Sequence, residues 1–282
     1  MLFSFGISSR FFAALLLSLL WLHSVSAEPI LKMIAETPHS PVDPAVVAKI
    51  FSGAESLHYT VSWSGGVKIG DIYMDIQAEK TKPEAYTISA KVKDYGPLKL
   101  FYPVDDTFRC FVSGPMKLPY RYEVHQKEGF GRNTTRLTLY DQQTRTGIYQ
   151  KNKEPQLQFD LEGPAYNEFA SFIISRALHF SEGEEIVIPT FTDEQRHEVR
   201  VALIQREKRK TLFGQKETLK IQPKMDFKGL YDKSGDTILW LTDDKCRVPV
   251  EIHSKIVVGS LVAELVGYTN PACKELVPVP AH

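Results

Sequence analysis

The sequence predicts a mainly β fold: a single antiparallel sheet curved into an open, spiral-like barrel, with one or two short helices. Three observations predict it. Short runs place β-branched or aromatic residues at alternate positions, and Gly, Pro, Asp or Asn separates them at the spacing of a meander. Only two stretches carry helical periodicity, too few for the crossover helices that a parallel sheet requires.

Taken in order, the first 27 residues read as a secretory signal peptide. Arg10 precedes an apolar run from Phe11 to Leu22, and Val25-Ser26-Ala27 supplies a small-residue cleavage site. The run is short for a membrane span of about 20 residues. Cleavage is expected near Ala27, the mature protein in the periplasm, and no later run approaches spanning length, so the chain is not expected to be an integral membrane protein. Residues 28–45, with Pro29, Pro38, Pro41 and Pro44, read as an extended arm. Residues 46–270 are read as one barrel-like domain and 271–282 as a tail, because no repeat and no Gly-, Ser- or Pro-rich linker divides them.

Asp43 is placed to cap a short helix with Pro44 at its first position and Val46, Val47, Ile50 and Phe51 on one face, ended by Gly53. Tyr59, Val61 and Trp63 then alternate with polar residues. Gly65-Gly66 makes a turn, and Val67, Ile69, Ile72 and Met74 continue as the return strand of a hairpin. Further strands are expected at 86–92, 98–102, 107–112, 120–126, 136–140 and 146–149. A second helix is expected over 166–178, with Phe169, Phe172, Ile173 and Leu178 on its buried side. Strands follow at 185–188, 199–205, 218–222, 237–241, 248–253 and 261–268, with Lys233-Ser234-Gly235-Asp236 read as a turn.

The charge balance, 34 basic against 34 acidic residues, argues against a nucleic-acid partner, which requires a clustered positive field. The densest basic run, Arg206 to Lys210, is read as a solvated strand end or loop, with contact to anionic lipid or a partner as its sharper alternative. Three cysteines stand in a chain expected to work where disulfides persist. Cys246 and Cys273 flank the same C-terminal hairpin and are the favoured pair, which leaves Cys110 without an assigned role. No metal or cofactor is expected: CxxC, HxxxH and HExxH are all absent.

For catalysis the chain offers little. The GxSxG pattern is absent, Gly129-Phe130-Gly131 lacks the strand-to-helix setting of a phosphate cradle, and His125, His179, His197 and His253 stand isolated. The candidate ligand-binding residues are Tyr59, Trp63, Trp240, Asp243 and Arg247. The aromatic rings either fill the barrel or wall an apolar pocket at its mouth. Asp243 and Arg247, four apart on a strand, share a face and form either a structural ion pair or a clamp for a carboxylate or phosphate head group. Pro249 lacks a ladder donor, so its strand is expected to be an edge or to carry a bulge.

Two segments carry a resemblance. Tyr59-Thr-Val-Ser-Trp63-Ser-Gly-Gly66-Val-Lys-Ile-Gly70 opens the mature chain. Trp240-Leu-Thr-Asp243-Asp244-Lys-Cys-Arg247-Val-Pro249-Val-Glu-Ile, followed by Gly259-Ser-Leu-Val-Ala-Glu-Leu265, closes it. Together they resemble the bacterial domain of unknown function 3108 family over about 56–268. The resemblance implies a curved, incompletely closed barrel in an exported protein of a double-membraned bacterium, with no assigned activity. At fold level it is similar to periplasmic open barrels that include lipoprotein carriers.

The expected function is therefore that of a non-catalytic periplasmic protein that binds an amphipathic or lipid-like molecule, or chaperones an envelope component. The alternative is an interaction protein that docks an envelope partner through an exposed sheet edge near Pro249. A third reading, a hydrolase of envelope polymers, requires two convergent carboxylates.

Overall fold

In the computed structural model the described residues are 42–64, 66–96, 98–192, 194–225, 233–256 and 259–280. The expected signal peptide and nearly all of the expected arm lie outside them, as does Gly65 of the expected turn.

The chain folds as α1 (Pro44–Ile50), β1 (Ala54–Trp63), β2 (Val67–Ala78), β3 (Tyr86–Asp94), α2 (Leu98–Phe101), β4 (Asp105–Ser113), β5 (Leu118–Glu128), β6 (Arg132–Asp141), β7 (Thr146–Lys151) and β8 (Leu157–Asp160). After α3 (Glu168–Ser175) come β9 (Glu185–Thr192), β10 (Gln195–Thr211), β11 (Gly214–Lys224), β12 (Lys233–Thr242), β13 (Pro249–Ile256) and β14 (Ser260–Thr269). All fourteen strands belong to one antiparallel sheet, ordered β8-β7-β6-β5-β4-β3-β2-β1-β14-β13-β12-β11-β10-β9. Each strand pairs with its sequence neighbour, and β1 pairs with β14. The two edges, β8 and β9, therefore come from the middle of the chain, and the sheet is a meander left open between them.

Strand alternation builds the core. Leu57, Tyr59 and Val61 of β1, Ile88 and Ala90 of β3, and Phe108, Cys110 and Val112 of β4 are all buried. Gly70 permits the close β2–β3 pairing: a Cβ at that position would collide with the Lys93 carbonyl oxygen. Helix α3 connects the two arms and is buried nearly all round, including Ser171 and Ser175. Those hydroxyls donate back to the Glu168 and Phe172 carbonyls at 3.0 and 2.7 Å, so their burial leaves no donor unmet. Asn167 caps the helix by accepting from the Ala170 amide at 2.7 Å. The chain between β8 and α3 leans on the β9 edge, where Tyr166 donates to the Pro189 carbonyl and accepts from the Phe191 amide.

Two expectations are corrected and two are narrowed to one of their alternatives. Residues 98–102 are not a strand; β3 and β4 pair directly, Lys93 with Asp105, so the residues between them form their connection and hold α2. The expected turn at Lys233 to Asp236 is the start of β12, with an irregularity between Lys233 and Thr237. The basic run is the exposed to half-buried end of β10, as the strand-end reading expects, and there Arg206 and Arg209 make ion pairs with Asp243 and Glu251. Of the two settings expected for Pro249, the edge is ruled out, because β13 pairs with both β12 and β14, and the bulge is found, as a register irregularity where Leu241 meets Pro249.

Candidate functional site

The two ends of the barrel differ. At one, α1, the disulfide and the C-terminal residues close over the sheet. At the other, near the β1–β2 and β13–β14 turns, the interior holds a cavity of about 190 Å³. Val61, Ile72, Met74 and Leu261 line it from the sheet, and α3 presents Phe169 and Phe172 from inside. The small side chains of Ala90 and Ala263 leave the space that bulkier residues would fill. The volume exceeds the roughly 150 Å³ of an apolar cavity known to stay dry and take up a benzene-sized guest. The polar groups in its wall include Glu168, at the first turn of α3, and the Ser171 and Ser175 hydroxyls already bonded within the helix.

The closed end is organised around a buried ion pair. Arg176 follows α3 and meets Glu55 of β1 through two parallel contacts of 2.6 and 2.8 Å, with both side chains fully buried. Its Nε donates to the Arg247 carbonyl at 3.0 Å. Glu55 also accepts from the Tyr268 hydroxyl and the Asn270 amide. Burial works against the Arg176 charge, but Glu55 more than offsets this and holds its pKa above the ordinary value. The only sequence signal of this node was an acidic and a basic residue at core positions, because the partners are 121 residues apart.

The sequence-predicted residues fall in three places, and the structure does not assemble them into one site. Tyr59 sits beside the closed-end ion pair and donates to the Pro249 carbonyl at 2.8 Å. Burial pushes its phenol pKa far up, with Arg176 acting against the rise. Trp63 ends β1 two residues past the cavity-lining Val61, is 40% exposed, and pairs with Leu261. Trp240 points to the convex face rather than the interior, because its neighbours Leu239 and Leu241 take the inner positions. It is nonetheless 4% exposed. Its indole N–H donates to Glu207, the Arg209 guanidinium lies 4.4 Å from its ring, and His253 packs edge-on at 4.7 Å.

Asp243 and Arg247 do meet, at 3.4 Å, but in a tight loop rather than on a strand. Asp244 builds that loop by accepting from the Cys246 and Arg247 amides, which lets Arg247 adopt a left-handed φ of 47°. Asp243 also pairs with Arg206, so the two predicted residues belong to a structural cluster away from the cavity. Cys246 and Cys273 form a disulfide with Cα atoms 6.0 Å apart. Cys110 is a buried free thiol that accepts from the Asn167 amide at 3.2 Å, and burial pushes its pKa up to about 12, which keeps it protonated and unreactive. Sequence reasoning missed most of the cavity wall: its residues are ordinary inward-facing apolar positions, and which of them border empty space depends on the curvature of the sheet.

Among the described residues no helix is long and apolar enough to cross a membrane. A family model described as "Protein of unknown function (DUF3108)" matches residues 58–266. A solved structure from Brucella abortus, described as a beta-barrel-like protein of domain of unknown function DUF1849, superposes with a TM-score of 0.53 at 8% identity. The match covers 77% of this chain and 98% of that one. It establishes a shared fold. No curated protein matches the sequence.

Proposed function

The chain belongs to the DUF3108 family, a family of unknown function, and from that premise we propose that it is an exported, periplasmic, non-catalytic protein whose cavity holds the apolar part of an amphipathic or lipid-like molecule. The observation that carries the reading is the apolar chamber of about 190 Å³ between α3 and the concave sheet. A core filled by side chains would leave few voids larger than a water molecule, whereas barrels that hold ligands do so at their mouths. Among the described residues the wall supplies a single carboxylate, Glu168, where hydrolysis of a glycosidic polymer calls for two. That supports binding over catalysis.

The experiment is native mass spectrometry of the mature protein purified from a periplasm, paired with solvent extraction and with the variant Ala263→Phe, which projects a ring into the chamber. A discrete amphiphile mass on the wild type and its loss in the variant is the expected result. A clean apoprotein mass together with no uptake of an added apolar dye would overturn the reading. The interaction alternative then gains weight and moves from Pro249 to β8, an edge strand on which Leu157 is exposed.

A further inference from the structure

Gly129-Phe130-Gly131, which fits no phosphate cradle, has a different use in the structure. It forms the β5–β6 turn, and both glycines take left-handed φ values, 61° and 91°, so the chain reverses tightly and leaves Phe130 at the tip, 78% exposed. A single apolar side chain on a surface needs no explanation. Phe130 is not single. Leu100, in α2, is 74% exposed, and the exposed Tyr102 just after that helix lies against Gly129 and donates to Glu128 at 3.3 Å. Trp63 and Val67 are exposed on the two sides of the β1–β2 turn.

Backbone hydrogen bonds join these loops into one rim. Gly129 donates to the Pro103 carbonyl at 2.8 Å, Tyr95 to Ile69 at 2.9 Å, and Ser64 to Ser260 of β14 at 2.8 Å. Trp63 and Ser260 adjoin the chamber-lining Val61 and Leu261, so the rim borders the mouth of the apolar cavity. The other exposed large apolar side chains among the described residues are spread along strands or lie in the C-terminal residues. Four exposed lysines, Lys68, Lys93, Lys99 and Lys127, stand on the rim against an exposed Asp105 and the half-buried Asp94 and Glu128. Apolar tips that include a Trp and a Tyr, interspersed with lysines, have the composition of a membrane–water interface. A partner's strand finds no ladder to extend here, because β1 to β6 are each paired on both sides. The anchors stand on turns rather than along a groove, which suits entry into a deformable surface.

We infer that this rim docks the protein on a phospholipid bilayer, with Phe130 and Leu100 entering the headgroup boundary, the lysines favouring anionic lipid, and the mouth of the chamber turned to the membrane. The docking rests on the rim alone. Its use, passing the apolar part of a ligand between bilayer and chamber without a transit through water, rests on the binding reading above.

The test is flotation of the mature chain with vesicles of phosphatidylethanolamine and phosphatidylglycerol, and with phosphatidylcholine vesicles for comparison. Flotation is expected with the first and should be several-fold weaker with the second. Leu100→Asp with Phe130→Asp is expected to lower partitioning about a hundredfold, roughly tenfold for each apolar anchor, with melting temperature and dye uptake unchanged because both side chains are exposed. Brominated lipid should quench Trp63 and spare Trp240, so the quenched part of the fluorescence should vanish in Trp63→Phe. Dye uptake without flotation, flotation unchanged in the double variant, or equal quenching in Trp63→Phe would overturn the docking inference and leave the cavity reading intact. A co-purifying protein that is lost in the double variant, with no flotation, would overturn it in favour of a protein partner. Flotation through the rim without dye uptake would uphold the docking and overturn the cavity reading.

Discussion

At the closed end of the barrel, charged and polar groups are buried and matched: Arg176 spans Glu55 and the Arg247 carbonyl, and the disulfide ties the Cys246 loop to the C-terminal residues. At the mouth, apolar side chains are left facing space that no described residue fills. The same sheet thus spends its polar contacts on fixing one end and withholds packing at the other. The difference teaches how to separate stability from the binding we propose, since the buried ion pair and the cavity lie at opposite ends.

The largest effect expected is at the closed end. Arg176→Met strands a buried carboxylate and should cost about 3–5 kcal/mol, read by denaturant unfolding, whereas Arg176→Met with Glu55→Leu should recover much of the loss. A cost below about 1 kcal/mol for the single variant would break the contrast between the two ends, since that is what an exposed ion pair contributes. Removing the disulfide with Cys246→Ala and Cys273→Ala should cost about 3 kcal/mol in the chain-entropy account while leaving dye uptake at the mouth unchanged. Counting thiols in denatured, unreduced protein should return one, from Cys110.

A smaller effect is expected at α1. Asp43 caps that helix through the Ala45 amide at 2.8 Å and pairs with Lys245 at 2.7 Å; the Lys245 contact leads in holding its carboxyl pKa below the ordinary value, against the effect of burial. A lowered folded pKa means that its stabilisation is present above the unfolded carboxylate value near 4 and is lost as pH falls through the folded value. Asp43→Ala should cost about 1 kcal/mol at neutral pH and flatten the acid limb of the stability curve. A parallel shift with no change in slope would mean that neither the cap nor the Lys245 pair depends on the Asp43 charge. Smallest on stability should be Ala263→Phe, whose ring enters existing space; it should abolish dye uptake with a change in melting temperature of only a few degrees. A large destabilisation there would mean that the mouth is packed after all.

Much of the fold was legible because it rests on local signals. The alternation around Tyr59, Val61 and Trp63, the Asp43-Pro44 start of α1, and the Phe169, Phe172 and Ile173 spacing of α3 each depend on residues a few positions apart. Residues 98–102 misled because an apolar Leu-Lys-Leu-Phe run fits a strand or a helical turn equally, and only the direct pairing of β3 with β4 decides between them. Trp240 misled for a different reason. Its burial on the convex face depends on Arg209, Lys220 and His253, which come from three different strands, and no pattern within β12 announces them. The site was the least legible part, because a cavity is the absence of a side chain and its walls resemble core in every strand taken alone.

The pairing of β1 with β14 in the middle of the sheet also sets the order in which the molecule can be made. Each arm is a run of hairpins that close over short loops, fast steps with a small entropic cost. The contact that joins the arms, Glu55 to Tyr268, closes across 213 residues and cannot form until β14 has been synthesised. Until then β1 and β14 are both unpaired edges, open to a neighbouring chain or to a chaperone. The seam, rather than the open gap between β8 and β9, is therefore where a slow folder of this topology is most exposed to aggregation.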